Sequence, residues 1–74
     1  MKSVNVRLDT IEKVKNFSKK IISYSVDCDL ASGNYIIDAK SIMGIFSLDL
    51  SKTLKLTIHD DNADLSNIQE FIVQ

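Results

Sequence analysis

The sequence predicts an α+β fold of two layers, in which helices cover one face of a four-stranded antiparallel sheet. Two observations predict this fold. First, apolar residues alternate with polar ones in several short segments, which is the period of a strand with one buried face. Second, the apolar residues between those segments recur every three or four positions, which is the spacing of a helix. The resulting order is βαββαβα. The length of 74 residues predicts one domain over residues 1–74. A domain of this size buries only about 60% of the surface that its unfolded chain exposes.

A strand over residues 2–8 opens the chain, since its apolar residues alternate with polar ones. A helix follows, and the segment Asp9-Thr10-Ile11-Glu12 is a variant of the capping box with Asp in place of Ser or Thr. This helix is expected to run to about Tyr24. Its inward residues recur at helical spacing: Ile11, Val14, either Phe17 or Ser18, Ile21 and Ile22.

A hairpin and a short helix are predicted in the middle of the chain. Residues 26–30 alternate, the segment 32–34 (Ser-Gly-Asn) has the composition of a turn, and residues 35–37 favour a strand. Ser41 is a helix-capping residue type, so a second helix is expected to run from it to about Leu48.

The last elements are a fourth strand and a final helix. Residues 54–58 alternate, and the acidic segment 60–62 precedes a helix that should turn Leu65, Ile68 and Ile72 inward. The outer face of the sheet is expected to meet water. Its polar side chains are Asn5, Arg7, Asp27, Asp29, Lys55 and Thr57.

The composition is that of a globular protein, with 45% hydrophobic and 26% charged residues. No apolar run approaches the roughly 18 residues of a membrane span, and the N-terminus lacks the apolar core of a signal peptide. We therefore expect a cytoplasmic protein with no membrane insertion. The single cysteine, Cys28, has no partner within the chain and is expected to be a half-buried thiol rather than a catalytic one.

Charge is distributed unevenly along the chain. Residues 1–25 carry six Lys or Arg against two Asp or Glu, whereas residues 26–74 carry three against eight. The excess of positive charge falls on one helix face: Lys13, Lys15, Lys19 and Lys20. Nucleic acid binding is an alternative for this face, but the net charge of −1 and the scarcity of aromatic residues favour a solvated helix surface. No nucleic-acid partner is expected.

One segment closely resembles a known family. Lys40-Ser41-Ile42-Met43-Gly44, followed by two apolar residues and Ser47-Leu48, is similar to the region around the regulatory serine of HPr, the phosphocarrier protein of the bacterial phosphoenolpyruvate:sugar phosphotransferase system. The βαββαβα order is also that of HPr. The resemblance therefore implies an HPr-like open-faced sandwich over most of the chain.

The resemblance assigns two roles to this segment. A dedicated kinase phosphorylates the matching serine of HPr, which implies Ser41 as a regulatory phosphorylation site; the alternative is that Ser41 only caps the helix, worth about 1 kcal/mol. It also implies that Ile42, Met43 and Phe46 form an exposed apolar surface that binds protein partners, while Ile45 and Leu48 turn inward.

The same resemblance to HPr indicates that the residues that carry phosphate in HPr are replaced here. HPr accepts phosphate on a histidine at the start of its first helix, and an arginine two residues later supports it; here those positions hold Thr10 and Glu12. A threonine cannot form a labile phosphoramidate, and a carboxylate repels a phosphoryl group. The only histidine, His59, is expected at the far end of the fourth strand, where it cannot replace the missing one.

We therefore expect a non-enzymatic regulatory or docking protein of the HPr type, without cofactor. Its partners would be phosphotransferase-system proteins, HPr kinase or a transcriptional regulator acting in catabolite repression. The alternative is a small interaction module on an HPr-like fold, unrelated to phosphotransfer. Asp60, Asn62 and Asp64 imitate the first ligands of a calcium loop, but Leu65 and Phe71 replace the required Gly and Glu, so no metal site is expected.

Overall fold

The chain folds as an antiparallel sheet with its helices packed against one face, as predicted. The computed structural model describes residues 1–73. The elements in chain order are β1 (Lys2–Val6), α1 (Ile11–Ile21), β2 (Cys28–Ser32), β3 (Tyr35–Asp38), α2 (Ile42–Phe46), β4 (Leu54–Ile58), a 3-10 helix (Ser66–Phe71) and β5 (Ile72–Val73). No helix within this range is long and apolar enough to cross a membrane.

The strands lie in the order β3-β2-β4-β1-β5, and every neighbouring pair is antiparallel. Leu56 sits at the centre, paired with Val4 of β1 on one side and with Leu30 of β2 on the other. The hairpin between β2 and β3 turns at Gly33, whose φ of 59° is a left-handed conformation that glycine adopts without strain.

The C-terminal element corrects the sequence prediction. The predicted final α-helix is a 3-10 helix followed by a fifth strand, β5, which pairs with β1. Ile68 and Phe71 are three residues apart and both are buried, which matches the three-residue period of a 3-10 helix. Ile72 then turns extended (φ −74°, ψ 133°) and is only half-buried, and Leu65 is half-buried as well.

Helix α1 begins one residue later than the capping-box prediction. Its cap is Thr10, whose Oγ1 accepts a hydrogen bond from Lys13 N at 3.1 Å, whereas Asp9 accepts one from Lys13 Nζ at 2.9 Å. By the same spacing Asp9 could have accepted from Glu12 N, but its carboxylate is engaged by the Lys13 ammonium and Thr10 holds the cap position. Strand β1 ends at Val6 rather than at Leu8, and α1 ends at Ile21 rather than near Tyr24.

The buried face of α1 is narrower than predicted. Val14, Phe17 and Ile21 are fully buried, but Ile11 and Ile22 are 64% and 62% exposed. At about 100° per residue, positions 11 and 22 lie roughly 90–110° from the centre of the buried stripe. The inner residues of α1, α2 and the sheet form one core, with Cys28 inside it at 1% exposure rather than half-buried. The members of this core beyond α1 include Val6, Leu8, Leu30, Ile45, Leu54, Leu56, Ile58 and Ile68.

Candidate functional site

Ser41 caps helix α2, as predicted. Its backbone is extended (φ −97°, ψ 107°), and its Oγ accepts a hydrogen bond from Gly44 N at 3.2 Å. The turn before it is fixed by Asp38, whose backbone oxygen accepts from Ser41 N at 3.0 Å and whose side chain accepts from Lys40 N at 2.9 Å. The side chain of Ser41 is exposed. The hydroxyl therefore combines a structural role with access from solvent.

Three apolar side chains of α2 are exposed. Ile42, Met43 and Phe46 are 37%, 78% and 43% exposed, and we call these three residues the α2 patch. Ile45 and Leu48, in contrast, are 0% and 8% exposed and belong to the core. The division predicted for this helix is thus confirmed, while the role of the patch in binding a partner stays a prediction.

Glycine at position 44 lets α2 lie close to the sheet. A Cβ atom built there would stand 3.3 Å from Ile37 Cβ and 3.4 Å from Ser41 Oγ, which is tighter than ordinary van der Waals contact. The close approach buries Ile45 and leaves the α2 patch on the opposite side of a helix only five residues long. A side chain at this position would press on both the sheet and the cap.

A groove with an apolar floor continues the α2 patch towards α1. It has a volume of about 230 Å³ and is lined by Ile42 together with four residues of α1 and its C-terminal end: Lys15, Ser18, Lys19 and Ile22. The sequence did not reveal this groove, because Ile22 was expected to face the sheet. Ile21 and Ile22 lie about 100° apart around the helix, so both could belong to one buried stripe, and helical spacing alone does not decide which of them is exposed.

The lysines of α1 do not form one free basic face. Lys13 pairs with Asp9 and Lys20 pairs with Glu70, whereas Lys15 and Lys19 are exposed beside the groove. The remaining positive charge is therefore concentrated next to the α2 patch.

The start of α1 carries two carboxylates and two cations. Asp9, Thr10 and Glu12 are all exposed there. The hydrogen bond from the Lys13 ammonium is the main cause that lowers the pKa of Asp9, so this carboxylate stays ionised at neutral pH. Arg7 also lies beside Asp9, with its Nη2 3.9 Å from Asp9 Oδ2. The Thr10 hydroxyl is occupied as an acceptor of the helix cap.

His59 lies at the end of the sheet away from Thr10, as predicted. It follows β4, and its Nε2 is 2.7 Å from Asp29 Oδ2. The register pairs Ile58 with Lys2 and Leu54 with Val6. The chain therefore leaves β1 at the Leu54 end of the sheet before it reaches Thr10, whereas His59 follows Ile58 at the other end. Four strand steps of about 3.3 Å separate the two ends of β4.

The acidic residues after β4 stabilise turns. Asp60 Oδ1 accepts from Asn62 N at 3.0 Å, and Asp64 Oδ1 accepts from Ser66 N at 2.9 Å at the start of the 3-10 helix. The backbone hydrogen bond from Ser66 lowers the pKa of Asp64. Across residues 1–73 no group of three His, Cys, Asp or Glu side chains is arranged to hold a metal ion. Burial raises the pKa of Cys28, which keeps its thiol protonated.

The fold is similar to two solved structures of HPr proteins. HPr-C-His from Thermoanaerobacter tengcongensis is 26% identical, with a TM-score of 0.74 over 93% of this chain and 84% of that chain. The phosphocarrier protein HPr from Bacillus anthracis str. Ames is 22% identical, with a TM-score of 0.67 over 93% of this chain and 87% of that chain. No protein-family model and no curated protein matches the sequence.

Proposed function

Because the chain is an HPr-like protein, we propose that it serves the bacterial sugar phosphotransferase system as a regulatory or docking protein and carries no phosphate on histidine. The observation that supports this most strongly is the arrangement of α2. An exposed serine caps the helix, and the next five residues include three exposed apolar side chains. In this proposal the serine is the control point and the α2 patch is the surface that partners contact.

The start of α1 supports the loss of the carrier function. A phosphoryl group that arrived at Thr10 would meet a hydroxyl in place of an imidazole nitrogen, so it could not form the labile phosphoramidate that relay requires. It would also meet the carboxylate of Glu12, which repels a dianion. His59 offers no substitute, because it lies at the opposite end of the sheet and contacts Asp29.

We predict that a bacterial HPr kinase with ATP adds one phosphoryl group to the protein, at Ser41. Intact-mass spectrometry followed by peptide mapping measures this, with authentic HPr as the positive control. Ser41→Ala should abolish the modification and lower the free energy of unfolding by about 1 kcal/mol through loss of the cap. Ser47→Ala is the matched control, because Ser47 is also exposed and also belongs to an α2 cap. An unmodified wild-type protein, or equal modification of Ser41→Ala, would contradict the regulatory role.

We predict that Met43→Asp removes partner binding while the protein stays folded. Met43 is 78% exposed, so a carboxylate there costs the fold little but disrupts an apolar contact. Pull-down with phosphotransferase-system proteins measures the loss, and circular dichroism checks the fold. Asn5→Asp is the control, because it adds a carboxylate at an exposed residue of β1, outside both the α2 patch and α2. Unchanged binding by Met43→Asp would exclude the patch as the docking surface.

The groove beside the patch indicates the chemistry of the partner. Lys15 and Lys19 flank the apolar floor formed by Ile22 and Ile42. A partner that brings an apolar side chain surrounded by carboxylates would complement this surface, and its binding should weaken as salt rises.

The second candidate function is an interaction module unrelated to phosphotransfer, and Glu12 favours it, because this carboxylate stands where HPr proteins use an arginine. The two candidates differ in their response to the kinase. A protein that HPr kinase ignores, but that loses a partner on Met43→Asp, is such a module.

A further inference from the structure

Strand β3 forms an open and apolar edge of the sheet. It is the first strand in the order β3-β2-β4-β1-β5, so only one of its sides is paired. Two of its four residues, Tyr35 and Ile36, are 74% and 70% exposed. Edge strands of soluble proteins are usually kept very short or are blocked by charged side chains, proline or a bulge. Strand β3 is short and carries one charged residue, Asp38, at its end. Strand β3 has the sequence Tyr-Ile-Ile-Asp, so neither lysine nor proline blocks it.

The hydrogen-bond pattern identifies the backbone groups that the edge offers. Ala39 N donates to Cys28 O at 2.8 Å. In an antiparallel pair the bonded residues alternate, so Ile37 and Tyr35 also direct their backbone groups towards β2, while Ile36 and Asp38 direct theirs outward. The carbonyl of Asp38 already accepts from Ser41 N. Ile36 N–H and C=O are therefore the central free pair of the edge.

We propose that a second copy of this chain pairs with the β3 edge, antiparallel and about a two-fold axis at Ile36. In this register the two Ile36 residues exchange both backbone hydrogen bonds. Tyr35 then lies opposite Ile37 of the other copy, an aromatic and β-branched pair of the kind that stabilises antiparallel strands. The sheets of the two copies join into one.

The position of the Asp38 carboxylate favours a two-fold axis at Ile36 over an axis at Ile37 or at Asp38. With the axis at Ile36, the Asp38 carboxylate comes opposite the Asn34 amide of the other copy, which can donate to it. An axis at Ile37 would place the carboxylate against Ile36, and an axis at Asp38 would bring two carboxylates together. A two-fold pairing uses the same surface on both copies, so it closes at a dimer.

The contact between the two β3 strands is small, so the affinity of the dimer is low. Only four residues of each copy lie in β3, which is short of the 20–30 residues a side found in interfaces of about 1,600 Å². The net charge of −1 adds little repulsion between copies. The pairing is therefore a reversible dimer that dissociates on dilution.

Sedimentation velocity over a concentration series from micromolar to millimolar tests this pairing. The wild-type mass should rise from 8.3 kDa towards twice that value. Ile36→Lys should stay monomeric at every concentration, because it places two ammonium groups opposite each other at the axis. Ile22→Lys is the matched control, with the same substitution at a similarly exposed residue of α1, and should dimerise like the wild type.

Three outcomes would overturn the proposal. The wild type could keep a mass of 8.3 kDa at every concentration, which would show that the β3 edge does not bind a second copy of this chain. Ile36→Lys could dimerise as the wild type does, which would move the contact elsewhere. The mass could grow beyond a dimer, which would exclude the closed two-fold pairing. Amide hydrogen exchange gives a second readout: protection of Ile36 N–H should increase with concentration in the wild type.

Discussion

Phe17→Ala is expected to unfold most of the protein at room temperature. Phe17 is fully buried, and its ring meets that of Phe71 edge to face, with 5.4 Å between centroids and 85° between planes. Removing a buried phenylalanine costs about 3–5 kcal/mol. A domain of this size is stabilised by only about 3–5 kcal/mol from its core. The loss therefore equals most of the stability, and it also separates α1 from the 3-10 helix.

Urea denaturation followed by circular dichroism measures this effect. Phe46→Ala is the matched control, since Phe46 is 43% exposed in the α2 patch and should cost no more than about 1.5 kcal/mol. A cooperative transition of Phe17→Ala near the wild-type midpoint would contradict the packing described for the core. So would a cost of Phe46→Ala as large as that of Phe17→Ala.

The double substitution Thr10→His with Glu12→Arg is expected to create a phosphate acceptor where the wild type has none. The imidazole supplies the nucleophilic nitrogen, and the guanidinium replaces a carboxylate that repels the incoming group. Incubation with Enzyme I and phosphoenolpyruvate, followed by detection of acid-labile phosphate, measures the gain. The fold should survive, because both positions are exposed and the lost Thr10 cap costs about 1 kcal/mol.

Thr10→His alone separates the two contributions. It should accept less phosphate than the double variant, because the Glu12 carboxylate remains. Acid-labile phosphate on the wild type, or none on a folded double variant, would show that these two positions do not decide the carrier chemistry.

Strands and helices with a regular period could be predicted from the sequence. β4 alternates between buried and more exposed residues along all five positions, which is typical only of a strand. α1 has three buried residues at helical spacing, which is typical only of a helix. The C-terminal segment was ambiguous. Leu65, Ile68 and Ile72 fit a helix in sequence, but residues 72–73 pair with β1. Such pairing depends on contacts distant in the chain, which no local pattern contains.

The candidate site could be predicted in part, where its residues form a local sequence pattern. Ser41 has a local signature as a cap, and the resemblance to HPr divided α2 into buried and exposed residues, as the structure does. The groove at Ile22 and the open edge at Ile36 could not be foreseen. One requires knowing which of two adjacent isoleucines faces the core, and the other requires the strand order.

The central claim is that the chain keeps the regulatory serine of an HPr-like protein without the histidine carrier. The most direct test exposes one preparation of the wild type to HPr kinase with ATP and, separately, to Enzyme I with phosphoenolpyruvate, and compares intact masses before and after acid treatment. We predict one acid-stable phosphoryl group on Ser41 in the first reaction and none in the second. An unmodified protein in the first reaction, or an acid-labile group in the second, would contradict the account.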